Sequence, residues 1–416
     1  MEPGGAGCQK MKTLLPKEII LMIVESLRPS RRNVILYPSD PITKTLLSAR
    51  LVCKAINSAA VGLFHQHCMC INSDIKAMEL AEYIKRDKQQ TKTTVGLESL
   101  FSNLSSVSNL YLNLFHYRDP GRACKDEHDQ NILFRDLREP DSDDGTRSDG
   151  YVSDNDANGS SRVTTIISCD IVRIEPNELP TACAIKDKLL TVAPSLRYLV
   201  YELPFQATLP LEDAEEAFRA VWTGFKALPN LEEVCIIQDG FQHDHLGRAW
   251  HACWPRLRRI SIWAYNCQQH PGDYIWGMMA RLPFLEMASF TNMGVDWSYF
   301  DIKRRWFDAV ASVKSRRERL SKPFVRPQKF TLVLADDLEF QPQFEKFRES
   351  WSTLDPDEDM QLLLAETKIS ERLRGLENPT AKDCLTDWAL NGLLWDPEAR
   401  GMRPAPFEKP TTTQEV

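Results

Sequence analysis

The sequence lacks any run of about 18 consecutive apolar residues, so no membrane-spanning helix and no membrane partner are expected. It also lacks a cysteine framework. Eleven cysteines stand singly, an odd count without paired spacing. That excludes a disulfide-stapled secreted fold and suits a reduced, intracellular chain in the cytoplasm or nucleus. Positive charge is not in excess: the formal net charge is −7, which argues against a nucleic-acid binder held by clustered Lys and Arg. The opening MEPGGAGCQKMK has no apolar core and does not read as a signal peptide. There is no Gly-rich phosphate loop, no GxSxG elbow and no HExxH. No catalytic residue, cofactor site or enzymatic activity is therefore expected. Two sets of metal-ligating residues are present, His65 to Cys70 (HQHCMC) and His243, His245, His251 with Cys253. Zinc sites pair their ligands around a defined loop. Neither set has a matching second half, so surface histidines and buried thiols are expected rather than metal.

What the 416 residues do contain is enough apolar material, 43%, for two or three folded units. Residues 138–162, including EPDSDDGTRSDGYVSDNDANGSS, break the composition. They carry seven Asp or Glu and almost no large aliphatics, and cannot bury enough surface to order themselves. They read as an acidic, disordered insertion, with Ser153 followed at the third position by an acid. Residues 1–13 and the Pro-rich 401–416 read as disordered ends. A basic stretch, Lys303 to Arg326, reads as a helix with a solvated charged face.

From about residue 180 a pattern repeats: PSLRYLVY from Pro194, PNLEEVCI from Pro229, PRLRRISI from Pro255 and PFLEMASF from Pro283. Each has the form Pro-x-Leu-x-x-Φ-x-Φ, at intervals of 35, 26 and 28 residues. SVSNLYLNL, ending at Leu114, and RPQKFTLVL, from Arg326, are weaker copies. Before Pro229, apolar residues at 214, 217, 218, 221, 222 and 225 follow one face of a helix. The proline stops it, and a β-branched strand follows. Helix, proline stop, strand, repeated, predicts parallel strands with right-handed crossovers. A curved leucine-rich-repeat-like α/β solenoid is the economical solution at this period, with a compact two-layer α/β domain as the alternative. The consensus Asn of such repeats is missing; Asp239, Tyr265 and Met293 stand in its place. In the solenoid the alternate strand positions would face an open concave surface. These are Tyr198, Glu233, Arg259, Trp263 and Met287, with Trp263 the strongest candidate for holding a target. The tryptophans at 250, 254, 276, 297 and 306 read as core.

The strongest amphipathic helix is LLPKEIILMIVESL, Leu14 to Leu27. Pro16 suits its first turn, and Glu18 there favours the helix dipole. A second helical stretch runs from Thr45 to Phe64. Together they carry more aliphatic surface than a unit of about 50 residues can bury alone.

Leu15-Pro16-x-Glu18-Ile19, Ile23, Leu27, Leu47, the Arg50-Leu51-Val52-Cys53-Lys54 run and Leu63-Phe64 resemble the F-box. The whole chain is similar to fungal F-box proteins with degenerate leucine-rich repeats. The resemblance covers residues 14–70; residues 28–43 are a longer connection than the family usually has, expected to loop out, and Ile56 stands where an aromatic is common. The resemblance implies an all-α, three-helix F-box at 14–70, then an irregular leucine-rich-repeat-like solenoid with parallel strands (71–137 and 163–354). Residues 355–400 read on their own as a C-terminal helical segment, an acidic linker LDPDEDM followed by a helix near Leu362 to Leu376. The resemblance further implies a non-catalytic substrate receptor of an SCF-type cullin–RING ubiquitin ligase. Leu15, Pro16, Ile19, Ile23, Leu27, Leu47, Leu51 and Val52 would dock on a Skp-type adaptor, through it on a cullin, while the repeats hold a protein target. The alternative is a repeat-built interaction module whose hairpin serves its own fold or acts outside a ligase. An enzyme with an unrecognised site is the third class.

Overall fold

The computed structural model describes residues 16–52, 54–90, 104–114, 178–203, 211–239, 253–263, 272–291, 299–321, 329–335, 353–365, 373 and 379–405. The acidic insertion, Leu15, Trp250, Trp297, His243, His245 and His251 lie outside them. All the described residues belong to one unit, formed by 1–117 and 178–416.

The unit is mixed α/β. Nine strands form one sheet in strict chain order: β1 (Cys70–Ile71), β2 (Asn109–Asn113), β3 (Tyr198–Leu203), β4 (Glu233–Asp239), β5 (Arg259–Trp263), β6 (Met287–Thr291), β7 (Phe330–Ala335), β8 (Met360–Ala365) and β9 (Arg403–Pro404). β1 to β8 pair in parallel, and β9 closes the edge antiparallel to β8. Each proline-led line becomes a strand, as do both weak copies. Nine α-helices are described: α1 (Lys17–Glu25), α2 (Pro41–Ala49), α3 (Lys54–His67), α4 (Asp74–Gln90), α5 (Glu178–Val192), α6 (Leu211–Phe225), α7 (Gly272–Met279), α8 (Tyr299–Arg319) and α9 (Ala381–Leu390). Among the described residues no helix is long and apolar enough to cross a membrane.

Register explains the repeat. Leu199, Val234, Ile260, Ala288, Leu332 and Leu362 stand side by side across the ladder, and so do Tyr201, Ile236, Ile262, Phe290, Leu334 and Leu364. With Leu196, Leu231, Leu257 and Leu285 before them, these side chains share one core with the helices. The Φ positions of the line are thus the helix-side face. Parallel strands covered on both faces carry continuous apolar runs, and this sheet does. Trp254, Trp276 and Trp306 are buried in the same core; Trp254 donates Nε1–H to the Phe225 carbonyl at 2.9 Å. Gly224 permits the α5–α6 approach, since a Cβ there would stand 2.8 Å from Leu189 Cδ1.

The C-terminal third departs from expectation. Where the helix near 362–376 is expected to start, residues 360–365 form strand β8; 366–372 and 374–376 lie outside the described residues, and the helix described in this region is α9 at 381–390. Asp355 is buried and ion-paired at 3.0 Å with buried Lys303 of α8. Its carboxylate also accepts the Asp359 and Met360 backbone N–H groups, which fixes the turn into β8. Arg403 and Pro404, read as tail, form β9.

Candidate functional site

The site question divides between two surfaces: the α1–α3 corner and the sheet face opposite the helices.

At the corner, the single helical stretch expected from Thr45 to Phe64 is broken. α2 begins on Asp40, whose Oδ1 accepts Ile42 N–H at 2.8 Å, with Pro41 at the first helical position. It ends at Ala49; Leu51 and Val52 form a turn before α3. α1 starts at Pro16, which is the residue before the helix rather than inside its first turn. The corner's own small core holds Val24, Val34, Leu36, Leu46, Ala60, Leu63 and Cys68, with Leu27 and Ile56 half-buried against it.

That core leaves aliphatic side chains outside. Met22 is 67% exposed, Ile23 54%, Leu51 81% and Val52 69%, with Ile19 and Leu21 also exposed. Ile19, Ile23, Leu51 and Val52, four of the eight residues expected to dock, are therefore open apolar surface. Pro16 is exposed at the helix start, Leu47 is half-buried and Leu27 largely serves the internal core. Met22 and Leu21 were legible only as extra apolar width on α1.

The connector between α1 and α2, expected to loop out, is built in. Val34 and Leu36 turn into the corner core while Ile35 turns to the sheet. The Ile35 N–H donates to the Leu390 carbonyl at 2.7 Å and the Leu36 N–H to the His67 carbonyl at 2.6 Å. Asn109 Nδ2 of β2 donates to the Arg32 carbonyl at 2.9 Å. His67 and His65 also have structural partners: His67 Nδ1 lies 2.9 Å from the Val34 carbonyl, and His65 Nδ1 2.9 Å from Ser106 Oγ. Burial depresses the His67 pKa below its ordinary value.

The second surface overturns an expectation. The strand positions expected to form an open concave face are covered by the chain's own residues 379–405. Tyr198 is 2% exposed and donates its hydroxyl hydrogen to the Ala389 carbonyl at 2.7 Å. Tyr198, Val200, Cys235 and Ile237 pack with Leu385, Trp388, Leu394 and Trp395, and Trp263 and Met287 pack against the same cluster. Glu233 accepts from Asn33 Nδ2 and from Arg259 Nη1, each at 3.3 Å, and burial raises its carboxyl pKa. Further along, Arg400 is fully buried over the Trp388 ring, 4.8 Å from its centroid, and donates Nη1–H to Ser289 Oγ and to the Leu394 carbonyl. Lys382 pairs with Glu202. Tyr198, Glu233, Arg259, Trp263 and Met287 do come together on one face, as the period-2 reading required. Tyr198, Trp263 and Met287 pack with this chain's C-terminal segment there, while Glu233 and the part-exposed Arg259 pair with each other. The reason is apolar content: an open sheet face of that composition would be a large exposed patch, and α9 supplies the cover.

The chemistry available is limited. Burial pushes the Cys68, Cys70 and Cys235 thiols up to about 12, so they stay protonated and unreactive near neutral pH. Among the described residues no three His, Cys, Asp or Glu side chains converge as a metal site.

No protein-family model, no curated protein and no solved structure matches the chain.

Proposed function

We propose that the chain is a non-catalytic substrate receptor of an SCF-type cullin–RING ubiquitin ligase, docking on a Skp-type adaptor through the α1–α3 corner and holding a protein target with its repeat region. One observation carries the reading: exposed aliphatic side chains, Ile19, Met22 and Ile23 on α1 and Leu51 and Val52 after α2, on a corner that has already filled its own core. Burying each such side chain stabilises a complex by roughly 1.5–3 kcal/mol, whereas leaving them in water serves nothing in the isolated chain. The order of the Leu15-to-Phe64 motif residues adds the F-box resemblance.

The repeat region belongs to the same proposal. Strict chain order of parallel strands, with a turn and a proline before each of β3 to β6, is compatible with a leucine-rich-repeat-like solenoid. With the sheet face covered by residues 379–405, the target would be held elsewhere on the repeats. No bond chemistry is asked of this chain. Tethering raises the local concentration of a target lysine near the charged ubiquitin carrier, and proximity supplies the rate gain.

A second reading, a repeat-built module whose helices serve its own fold, is favoured by the connector's ties to β2 and to Leu390. Co-purification separates the two. Wild type should retain a Skp-type adaptor, and a Met22→Glu, Leu51→Glu chain, still folded by circular dichroism, should lose it. Folded wild type that fails to bind would reject the receptor reading.

A further inference from the structure

Where the α1–α2 connector and the end of α3 meet the starts of β2 and β3, the chain leaves a cavity of about 330 Å³, partly open to solvent. Arg28, Arg32 and Arg197 line it, together with Ser30, Ser108 and His67. No carboxylate is among its lining residues. Three guanidinium groups line one cavity in a chain of net charge −7; two of them are paired with carboxylates outside the lining, which leaves a local excess of one positive charge.

Two of the three are held in place from outside. Arg28 gives Nε and Nη2 to the Glu25 carboxylate, at 2.6 and 2.9 Å, and Nη1 to Gln66 Oε1 at 2.9 Å. A guanidinium has five N–H donors, so two remain for a ligand. Arg197 gives Nη1 to Glu232. Arg32 is exposed and pairs with no carboxylate among the described residues. The Gln66 carbonyl oxygen is used by Arg28, which leaves its amide N–H groups. The wall is thus rich in donors, with serine hydroxyls between forked cations.

We propose that this cavity binds a phosphate monoester or inorganic phosphate. A dianion with several terminal oxygens matches several guanidinium forks, where a single carboxylate would satisfy only one. The cavity exceeds one phosphate group, so it has room for the group that carries it. The site does not depend on adaptor docking.

The test is thermal unfolding of the full chain at constant ionic strength, titrated with inorganic phosphate, with a short phosphoserine peptide and with its unphosphorylated form, against sodium chloride. Phosphate should raise Tm saturably, as ligand linkage requires. Arg32→Ala should leave the ligand-free Tm unchanged and weaken the apparent Kd at least fivefold. Glu25→Gln, which removes the competing negative charge and frees one more Arg28 donor, should tighten it. A phosphopeptide bound tenfold or more tightly than inorganic phosphate would assign a peptide source; equal affinity would assign free phosphate. Stabilisation no greater than chloride gives, or an Arg32→Ala Kd equal to wild type, would overturn the proposal.

Discussion

The hydroxyl of Tyr198 and the carbonyl of Ala389 are 191 positions apart in sequence and 2.7 Å apart in space. The bond joins the third strand to the helix that covers it, in a place where both partners are buried. Tyr198→Phe keeps the ring and removes the donor. The Ala389 carbonyl retains the Gly392 N–H at 3.4 Å, so the expected loss is about 1 kcal/mol. Urea unfolding should show a lower midpoint with an unchanged m-value, because the surface exposed on unfolding is the same.

Gly392 fixes how the C-terminal segment leaves α9. Its φ is +65°, and an added Cβ would stand 2.6 Å from Asn33 Oδ1. Left-handed backbone costs a non-glycine residue about 1–2 kcal/mol, and the contact with Asn33 adds to it. Gly392→Ala should therefore lower Tm by more than Tyr198→Phe does. Adding Asn33→Ala should recover the steric part and leave the backbone part, a split that a double-mutant cycle measures.

Much of this architecture was legible in the sequence because it repeats. Pro194, Pro229, Pro255 and Pro283 each announced a strand a few residues on, and the Leu and Φ positions were correctly read as core. The cover was not legible. MQLLLA of β8 is buried on both faces, so it shows no alternation, and a short apolar run reads as helix or strand alike. α9 is buried along Cys384, Leu385, Asp387, Trp388, Ala389 and Leu390, too broadly for a one-sided stripe. Period-2 reasoning identified which residues share the second sheet face, but periodicity carries no information on what lies over it. At the corner, Leu51 and Val52 were found through the motif resemblance; their exposure follows from the α2–α3 break, which no proline or glycine marks.

Lys188 makes stability depend on alkaline pH. It is 2% exposed on α5, its Nζ has no hydrogen-bond partner, and burial depresses its pKa to about 7 from an ordinary 10.5. Between these values the unfolded chain holds a proton that the folded chain has given up. Stability from this group is therefore greatest above the unfolded pKa and falls as pH drops toward the folded one. Relative to a Lys188→Met chain, which carries the same buried thiols, wild type should gain unfolding free energy from pH 7.5 to 9.5, by a factor approaching ten in the equilibrium constant per pH unit at most. Lys188→Met keeps the buried stem without the amine. It should be more stable than wild type at pH 7, by a margin that shrinks as pH rises over the same range. A margin between the two chains that stays constant from pH 7.5 to 9.5 would reject the assignment.

The open patch makes its own prediction without any partner. Met22 and Leu51 lie outside the corner core, so replacing both with Glu removes no packing and should change stability by no more than about 0.5 kcal/mol. The same change should have a large effect on association. Uncovered aliphatic side chains at Ile19, Met22, Ile23, Leu51 and Val52 favour contact between copies, whereas two carboxylates among them oppose it. Light scattering across a concentration series should show self-association in wild type and a monomer in the double variant, with overlapping thermal melts at low concentration. If the double variant instead melts several degrees lower, these side chains belong to the chain's own fold. The corner would then be closed in solution, and the surface on which docking depends would not exist in the free protein.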